Sequence, residues 1–324
     1  MVDIVEIEEA ARRLDGVSVR TPLLQNFELD QIAGGKVLLK PECLQVIGAF
    51  KIRGAYNRLS QLTKEEAAKG VVAWSSGNHA QGVAAAAAML GIHAAIVMPE
   101  DAPKAKLENT RRLGGEVITY NRYTGDREAI AREIAAERGA ALVPSYDHEH
   151  IIAGQGTVGL EIAEDAVDLG LAPDQVLIPC GGGGLSSGSA IAIKSRLPDT
   201  SVYGVEPSDF DDTARSFQAG KRLRIDDSAR SICDALQTPM PGELTFAINQ
   251  RLLAGILTVS DDEVRSAIRF AFKNLKLVVE PGGAVALAAL LSGKLQTAGK
   301  TTAIVLSGGN IDVDLFAEIQ TEPN

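Results

Sequence analysis

Lys51 lies in the segment Ile47-Gly48-Ala49-Phe50-Lys51-Ile52-Arg53-Gly54-Ala55-Tyr56-Asn57. A lysine amine, once neutral, forms a Schiff base with an aldehyde and can afterwards carry a proton. On its own, a lysine at a helix start is a solvated charge. The loop Trp74-Ser75-Ser76-Gly77-Asn78-His79-Ala80-Gln81-Gly82 changes that reading. It follows the apolar run from Gly70 to Ala73 and precedes an alanine-rich stretch from Val83 to Leu90, which is the order strand, loop, helix. Such a junction presents free backbone N–H groups at the positive end of a helix, where a carboxylate or phosphate fits. A plain helix cap would need only Ser75 or Ser76, and the added Gly-Asn-His supplies more polar groups than capping uses.

The second loop is Gly181-Gly182-Gly183-Gly184-Leu185-Ser186-Ser187-Gly188, entered from Gln175 to Cys180 and leaving into Ser189 to Ile193. Consecutive glycines between a strand and a helix let backbone amides wrap a phosphate without Cβ clashes. The run is not a dinucleotide fingerprint, because G-x-G-x-x-G would need glycine at Ser186 or Ser187, and no G-x-x-x-x-G-K-[ST] occurs. One phosphate held by backbone is what remains. The third loop, Ser307-Gly308-Gly309-Asn310, follows the strand-like run Thr302 to Leu306 and could be an ordinary turn. With the other two it forms a set of polar strand-end loops, and open α/β sheets gather ligands at the carboxyl ends of their strands. A planar, anionic aldehyde beside Lys51 suits the set, and pyridoxal phosphate is such a ligand.

The elements that must position these residues read as alternating strands and helices. Apolar runs at Val71–Ala73, Ala94–Met98, Glu116–Tyr120, Val176–Cys180, Val202–Val205 and Ala303–Leu306 predict parallel sheets flanked by helices. A chain of 324 residues is long for one core and suits two lobes. No apolar run approaches the roughly 20 residues that span a bilayer, and the N-terminal residues lack the blocks of a signal peptide. Membrane partners are therefore not expected, and the cytoplasm is the expected location. The net charge of −10 argues against nucleic acid. Cys43, Cys180 and Cys233 are far apart and suggest neither a zinc site nor disulfides. His148 and His150 could chelate a metal in isolation, but a polar connecting loop is the plainer reading.

The chain resembles the fold-type II pyridoxal-phosphate enzymes, specifically the serine/threonine dehydratase and serine racemase group. The resemblance runs nearly end to end through AFKIRGAYN at 49–57, SSGNHAQG at 75–82, IAGQGT at 152–157, GGGGLSSG at 181–188, VEPS at 205–208, MPGELTF at 240–246, EPGGA at 280–284 and SGGN at 307–310. It implies a two-lobed α/β fold like the tryptophan synthase β-subunit. A large cofactor-binding domain would comprise residues 1–52 and 148–324, with a small domain of residues 53–147 and a homodimeric assembly. It also implies that Lys51 is the Schiff-base lysine, with Phe50 packing near the cofactor and Asn78 bonding the phenolic oxygen of its ring. Gly181, Gly182, Gly183, Gly184 and the amide of Leu185 match the phosphate cup, and Ser307 matches the partner of the ring nitrogen. Because the sequence ends soon after the third loop, no C-terminal regulatory domain is expected.

A serine hydroxyl cannot hold a proton on the ring nitrogen as a carboxylate would, so the ring stays largely neutral and is a weaker electron sink. Expelling a β-substituent is then favoured over transamination. The implied activity is elimination of water from a β-hydroxy amino acid of the L-threonine or L-serine type, giving a 2-oxo acid and ammonia, with Lys51 removing the Cα proton. The substrate carboxylate is expected in the loop Ser75, Ser76, Gly77, Asn78 and His79, with Arg127 pointing toward the substrate. Ser76 matches the hydroxyl that faces Lys51 across the substrate plane, which keeps a serine or aspartate racemase open. Glu206, the carbonyl of Phe210 and Asp212 match the metal ligands of the racemase branch, and such hard oxygen donors suit Mg²⁺ or Ca²⁺. Ile47, Ala49 and Ala235 depart from the family's usual Thr, Ser and Gly, which alters the pocket wall. A 3-hydroxyaspartate or a phenylserine-like substrate is therefore an alternative.

Overall fold

Short apolar runs separated by helices give ten strands among the described residues. They are β1 (Leu24–Gln25), β2 (Lys36–Pro41), β3 (Val71–Trp74), β4 (Ala94–Pro99), β5 (Glu116–Tyr120), β6 (Ala141–Leu142), β7 (Gln175–Pro179), β8 (Ser201–Pro207), β9 (Gly255–Val259) and β10 (Thr301–Leu306). The structure is a computed structural model that describes residues 2–322 apart from Ser76, Pro103, Arg122, Tyr123 and Asp227. One sheet has the order β1-β2-β10-β7-β8-β9 and the other β5-β4-β3-β6. Every pairing is parallel except the short β1, which runs antiparallel to β2. All four strands of the smaller sheet lie between residues 71 and 142, and the larger sheet draws on the chain at both sides of that segment.

Parallel sheets are covered on both faces, so their strands carry unbroken apolar runs. Val37–Leu39, Val176–Ile178 and Ala303–Leu306 are buried at every position. The helix Pro281–Leu291 is apolar all round, hence buried from Pro281 to Leu290, and it packs against β10 and β7 within the largest core cluster. Proline starts that helix, where its missing N–H removes no bond.

The helix Lys51–Leu59 lies between the helices Asn78–Leu90 and Glu149–Asp168 and so ties the two sheets together. A Cβ at Gly154 would stand 2.6 Å from the Arg53 carbonyl oxygen, so only glycine allows this closeness. A buried charge network fixes the same helix. Arg53, fully buried, grips Glu42 through Nε and Nη2 at 2.8 and 2.9 Å and Glu161 through Nη1 and Nη2 at 2.6 and 2.9 Å. Lys40, equally buried, bonds Glu161 at 2.6 Å and donates to the Thr21 carbonyl oxygen at 2.6 Å. Burial alone would raise the Glu42 carboxyl, but the Arg53 charge and hydrogen bonds hold it below its ordinary value.

Candidate active site

The carboxyl ends of β3, β7 and β10 open into loops that converge on one cavity of ≈ 250 Å³. Lys51 lies on its wall as the first residue of its helix, and Ser75, Asn78, Gly183, Arg127 and Ser307 line it as well. Phe50, Gly77, His79, Gly181, Gly182, Gly184 and Leu185 border the same space. The structure thus brings together every site residue read from the three loops except Ser76, which lies outside the described residues.

The Lys51 ammonium donates to the Ser145 carbonyl oxygen at 2.9 Å and sits 5.2 Å from the Phe50 ring centroid. Burial pushes its amine down to about 8, against the opposing pull of Glu280. A lysine so lowered supplies neutral amine near physiological pH. His79 is held down to about 3 by burial and then by the Lys51 charge, so its ring is neutral, and Nε2 donates to the Val143 carbonyl oxygen at 2.9 Å.

Two helix N-termini face the cavity without side-chain caps. Gly77 precedes the helix Asn78–Leu90, and Gly183 precedes the helix Gly184–Arg196. First-turn amides have no partner within their own helix and are open to an anion. Gly183 has φ +92°, a conformation that disfavours a side chain, and a Cβ there would lie 2.9 Å from Thr245 Cβ. A Cβ at Gly182 would collide with the Tyr146 ring, which covers the loop. The glycines are thus packed from outside while their amides border the cavity, as a phosphate cradle requires.

Three contributors went unassigned in the sequence. Tyr146 is recognisable only once Gly182 is placed. Glu280 lies in EPGGA, and it lines the cavity 4% exposed and accepts a short hydrogen bond from Asn78 Nδ2. Asn310 of SGGN donates to Asn78 Oδ1 at 2.7 Å and to the Ile47 carbonyl oxygen at 2.9 Å. His148 proves to cap the helix Glu149–Asp168, its Nδ1 accepting from the His150 amide at 3.0 Å.

The residues expected to hold a metal stand apart from this cavity. Glu206, the penultimate residue of β8, accepts from the amides of Ala214 and Thr213 at 2.9 and 3.3 Å. Asp212 is buried beside it, and neither of its carboxylate oxygens has a hydrogen-bond partner. Burial raises both carboxyls, Glu206 further through the Asp212 charge, and Asp212 reaches about 8. Among the described residues no group of three or more His, Cys, Asp or Glu side chains is arranged around a metal position. No helix among them is long and apolar enough to cross a membrane.

A lysine at a helix start, a glycine-rich strand-to-helix loop and a serine after the strand β10, on two largely parallel sheets, are the features of a fold-type II pyridoxal-phosphate enzyme. The chain belongs to the pyridoxal-phosphate dependent enzyme family, which it matches over residues 15–308. It is 45% identical over 314 residues to the L-threo-3-hydroxyaspartate ammonia-lyase of Pseudomonas sp, with 97% of each chain covered. It is 41% identical over 317 residues to the serine racemase of Schizosaccharomyces pombe, covering 98% of this chain and 97% of the relative. The crystal structure of a T.th. threonine deaminase superposes with a TM-score of 0.91 at 44% identity, covering 96% of this chain and 99% of that one.

Proposed function

We propose that the protein is a carbon-oxygen lyase, an ammonia-lyase that eliminates water from a β-hydroxy amino acid of the L-threonine or L-serine type and releases a 2-oxo acid and ammonia. The observation that carries this reading is the pairing, in one cavity, of a lysine with a lowered amine pKa and a serine, not a carboxylate, at the end of β10. Pyridoxal phosphate, when bound, supplies an aldehyde for the lysine and a ring that draws electrons from the substrate Cα. Lys51 holds the cofactor and moves the Cα proton. Gly181 to Gly184 and the Leu185 amide hold the phosphate, Phe50 packs beside the ring, and Asn78 and Ser307 address its phenolic oxygen and nitrogen. Ser75, Ser76, Gly77, Asn78 and neutral His79 receive the substrate carboxylate at the open end of a helix.

A 3-hydroxyaspartate is the second reading, favoured by Arg127. Its side chain lines the cavity and makes no ion pair with a described residue, which leaves its charge open to a distal carboxylate. Ammonia, 2-oxo acid and D-isomer should be followed from L-serine, L-threonine and L-threo-3-hydroxyaspartate. The expected result is oxo acid in excess over D-isomer, whichever substrate is fastest. If the D-isomer forms faster and Ser76→Ala removes it while sparing the oxo acid, the protein is a racemase.

A divalent cation, Mg²⁺ or Ca²⁺, is assigned to Glu206, the Phe210 carbonyl and Asp212, supported by the two unpartnered oxygens of a buried Asp212. Adding either ion to chelator-treated protein should raise Tm by several degrees, and Asp212→Asn should abolish the response. An equal response in the variant would remove these residues as ligands. We further assign the lobes to residues 53–147 and to 1–52 with 148–324, a division supported by the confinement of the smaller sheet to 71–142. A homodimer is supported by the exposed apolar side chains Leu44, Val46, Phe272 and Val278. Three unpaired thiols suit a cytoplasmic, reducing location.

A further inference from the structure

Glu280 precedes the helix Pro281–Leu291 at the cap position, where a shorter Ser, Thr, Asp or Asn side chain would bond the first amides of the helix. It makes no such bond. Its carboxylate turns instead toward the cavity, where Oε1 accepts from Asn78 Nδ2, and a Cβ at Gly308 would collide with that oxygen. The backbone is fitted to the same arrangement, because the Glu280 amide donates to the Gly308 carbonyl oxygen at 3.0 Å.

The hydrogen bonds of Asn78 leave one group over. Its Oδ1 accepts from Asn310, whose second N–H is spent on the Ile47 carbonyl oxygen. Rotating the Asn78 amide by half a turn would set NH₂ against the Asn310 NH₂ and oxygen against the Glu280 carboxylate, so only one orientation satisfies both neighbours. In that orientation one N–H goes to Glu280, and the other, on the same cavity-lining side chain, makes no bond to a described residue.

We propose that Glu280 is a positioning residue that, with Asn310, clamps the Asn78 amide so that its remaining N–H is aimed at the ring oxygen of bound pyridoxal phosphate. This rests on the reading of Asn78 as the partner of that oxygen. The ring oxygen must then accept, which favours its ionised form. The charges around Glu280 come from Asp234, which raises its carboxyl after burial has done so, and from Lys106 and Lys51, which oppose the rise. Burial raises the thiols of Cys43 and Cys233, and Glu280 adds a smaller push to each.

The test is pyridoxal phosphate affinity in a double-mutant cycle, read by absorbance titration of apoprotein with the cofactor. Asn78→Ala and Glu280→Met should each weaken binding by about tenfold. The double variant should be no worse than the weaker single variant, since Glu280 acts through Asn78. Glu280→Gln should stay within about threefold of wild type, because the glutamine oxygen still accepts from Asn78. Losses that multiply to about a hundredfold, or a Glu280→Met protein that binds like wild type, overturn the clamp. Should Glu280→Met not fold, Asn310→Ala frees the other end of Asn78 and should weaken binding likewise, and an unchanged affinity there overturns the clamp as well. An Asn78→Ala protein with wild-type affinity overturns both the clamp and the placement of Asn78 at the ring.

Discussion

Lys51→Ala is expected to lose turnover by about a thousandfold or more and to lose all borohydride-fixable cofactor. No other side chain on the cavity wall combines an amine with freedom from an ion pair, since Lys106, which also lines it, pairs with Asp234. The glycine cradle is untouched by this change, so the variant should still take up pyridoxal phosphate, though reversibly. Wild-type apoprotein adds a pH signature. Capture of the cofactor needs the neutral amine, and the Lys51 amine is lowered from its usual value to about 8. The capture rate should therefore be near its plateau above that pH and fall about tenfold for each pH unit below it. In Lys51→Ala the slow covalent phase should vanish at every pH. Covalent cofactor retained by Lys51→Ala would move the Schiff-base role elsewhere and take the proposed proton transfer with it.

The parts of this site that were legible in the sequence share a physical reason. Gly181 to Gly184 and the Ser75 to His79 segment belong to strand-to-helix junctions, and such junctions leave a local signature of apolar run, small residues and helix-forming stretch. The structure places Gly181 to Gly184, Ser75, Gly77, Asn78 and His79 on the cavity with Lys51 and Ser307. The runs from Val71, Ala94, Val176, Val202 and Ala303 are likewise readable, because buried parallel strands are apolar at consecutive positions, and the run from Glu116 matches β5, a part-exposed strand at the edge of its sheet. β2 leaves no clear signal in the sequence, for Lys36 and Lys40 bracket its short apolar run, and Lys40 is buried only because Glu161 and Thr21 meet it from distant segments. β9, Gly255–Val259, is only half-buried along most of its length, and β1 and β6 have two residues each, too short for any periodicity. Glu280 and Asn310 were present in recognised motifs, but their roles are pairwise with Asn78, more than two hundred positions away in sequence. Side-chain pairings over such separations carry no spacing rule. Asp147 shows the same limit, since it caps the helix Glu243–Leu252 by accepting from the amides of Glu243, Leu244 and Thr245.

Arg53→Met is expected to be the most destabilising single change in the frame that holds Lys51. Arg53 is fully buried and neutralises Glu42, also fully buried, and Glu161, which Lys40 helps to satisfy, while Arg53 Nη1 also donates to the Thr157 hydroxyl. Removing the guanidinium leaves the Glu42 carboxylate without a cation in direct contact, and breaking a buried pair in this way costs roughly 3–5 kcal/mol. For a chain of this length that corresponds to a fall in Tm of about 5 °C. Arg53→Lys should recover only part of it, because one ammonium cannot make the two paired contacts that the planar fork makes. The decisive variant is Arg53→Met with Glu42→Gln. Neutralising the stranded carboxylate should return stability toward wild type, whereas simple loss of packing at Arg53 would leave the double variant as unstable as the single one or worse. Cofactor retention should follow the same order, since Arg53 lies two residues beyond Lys51 on the same helix and its bonds fix that helix against Glu161 of its neighbour. A Tm unchanged in Arg53→Met would show that the glycine contacts between these helices, not the charges, hold Lys51 in place.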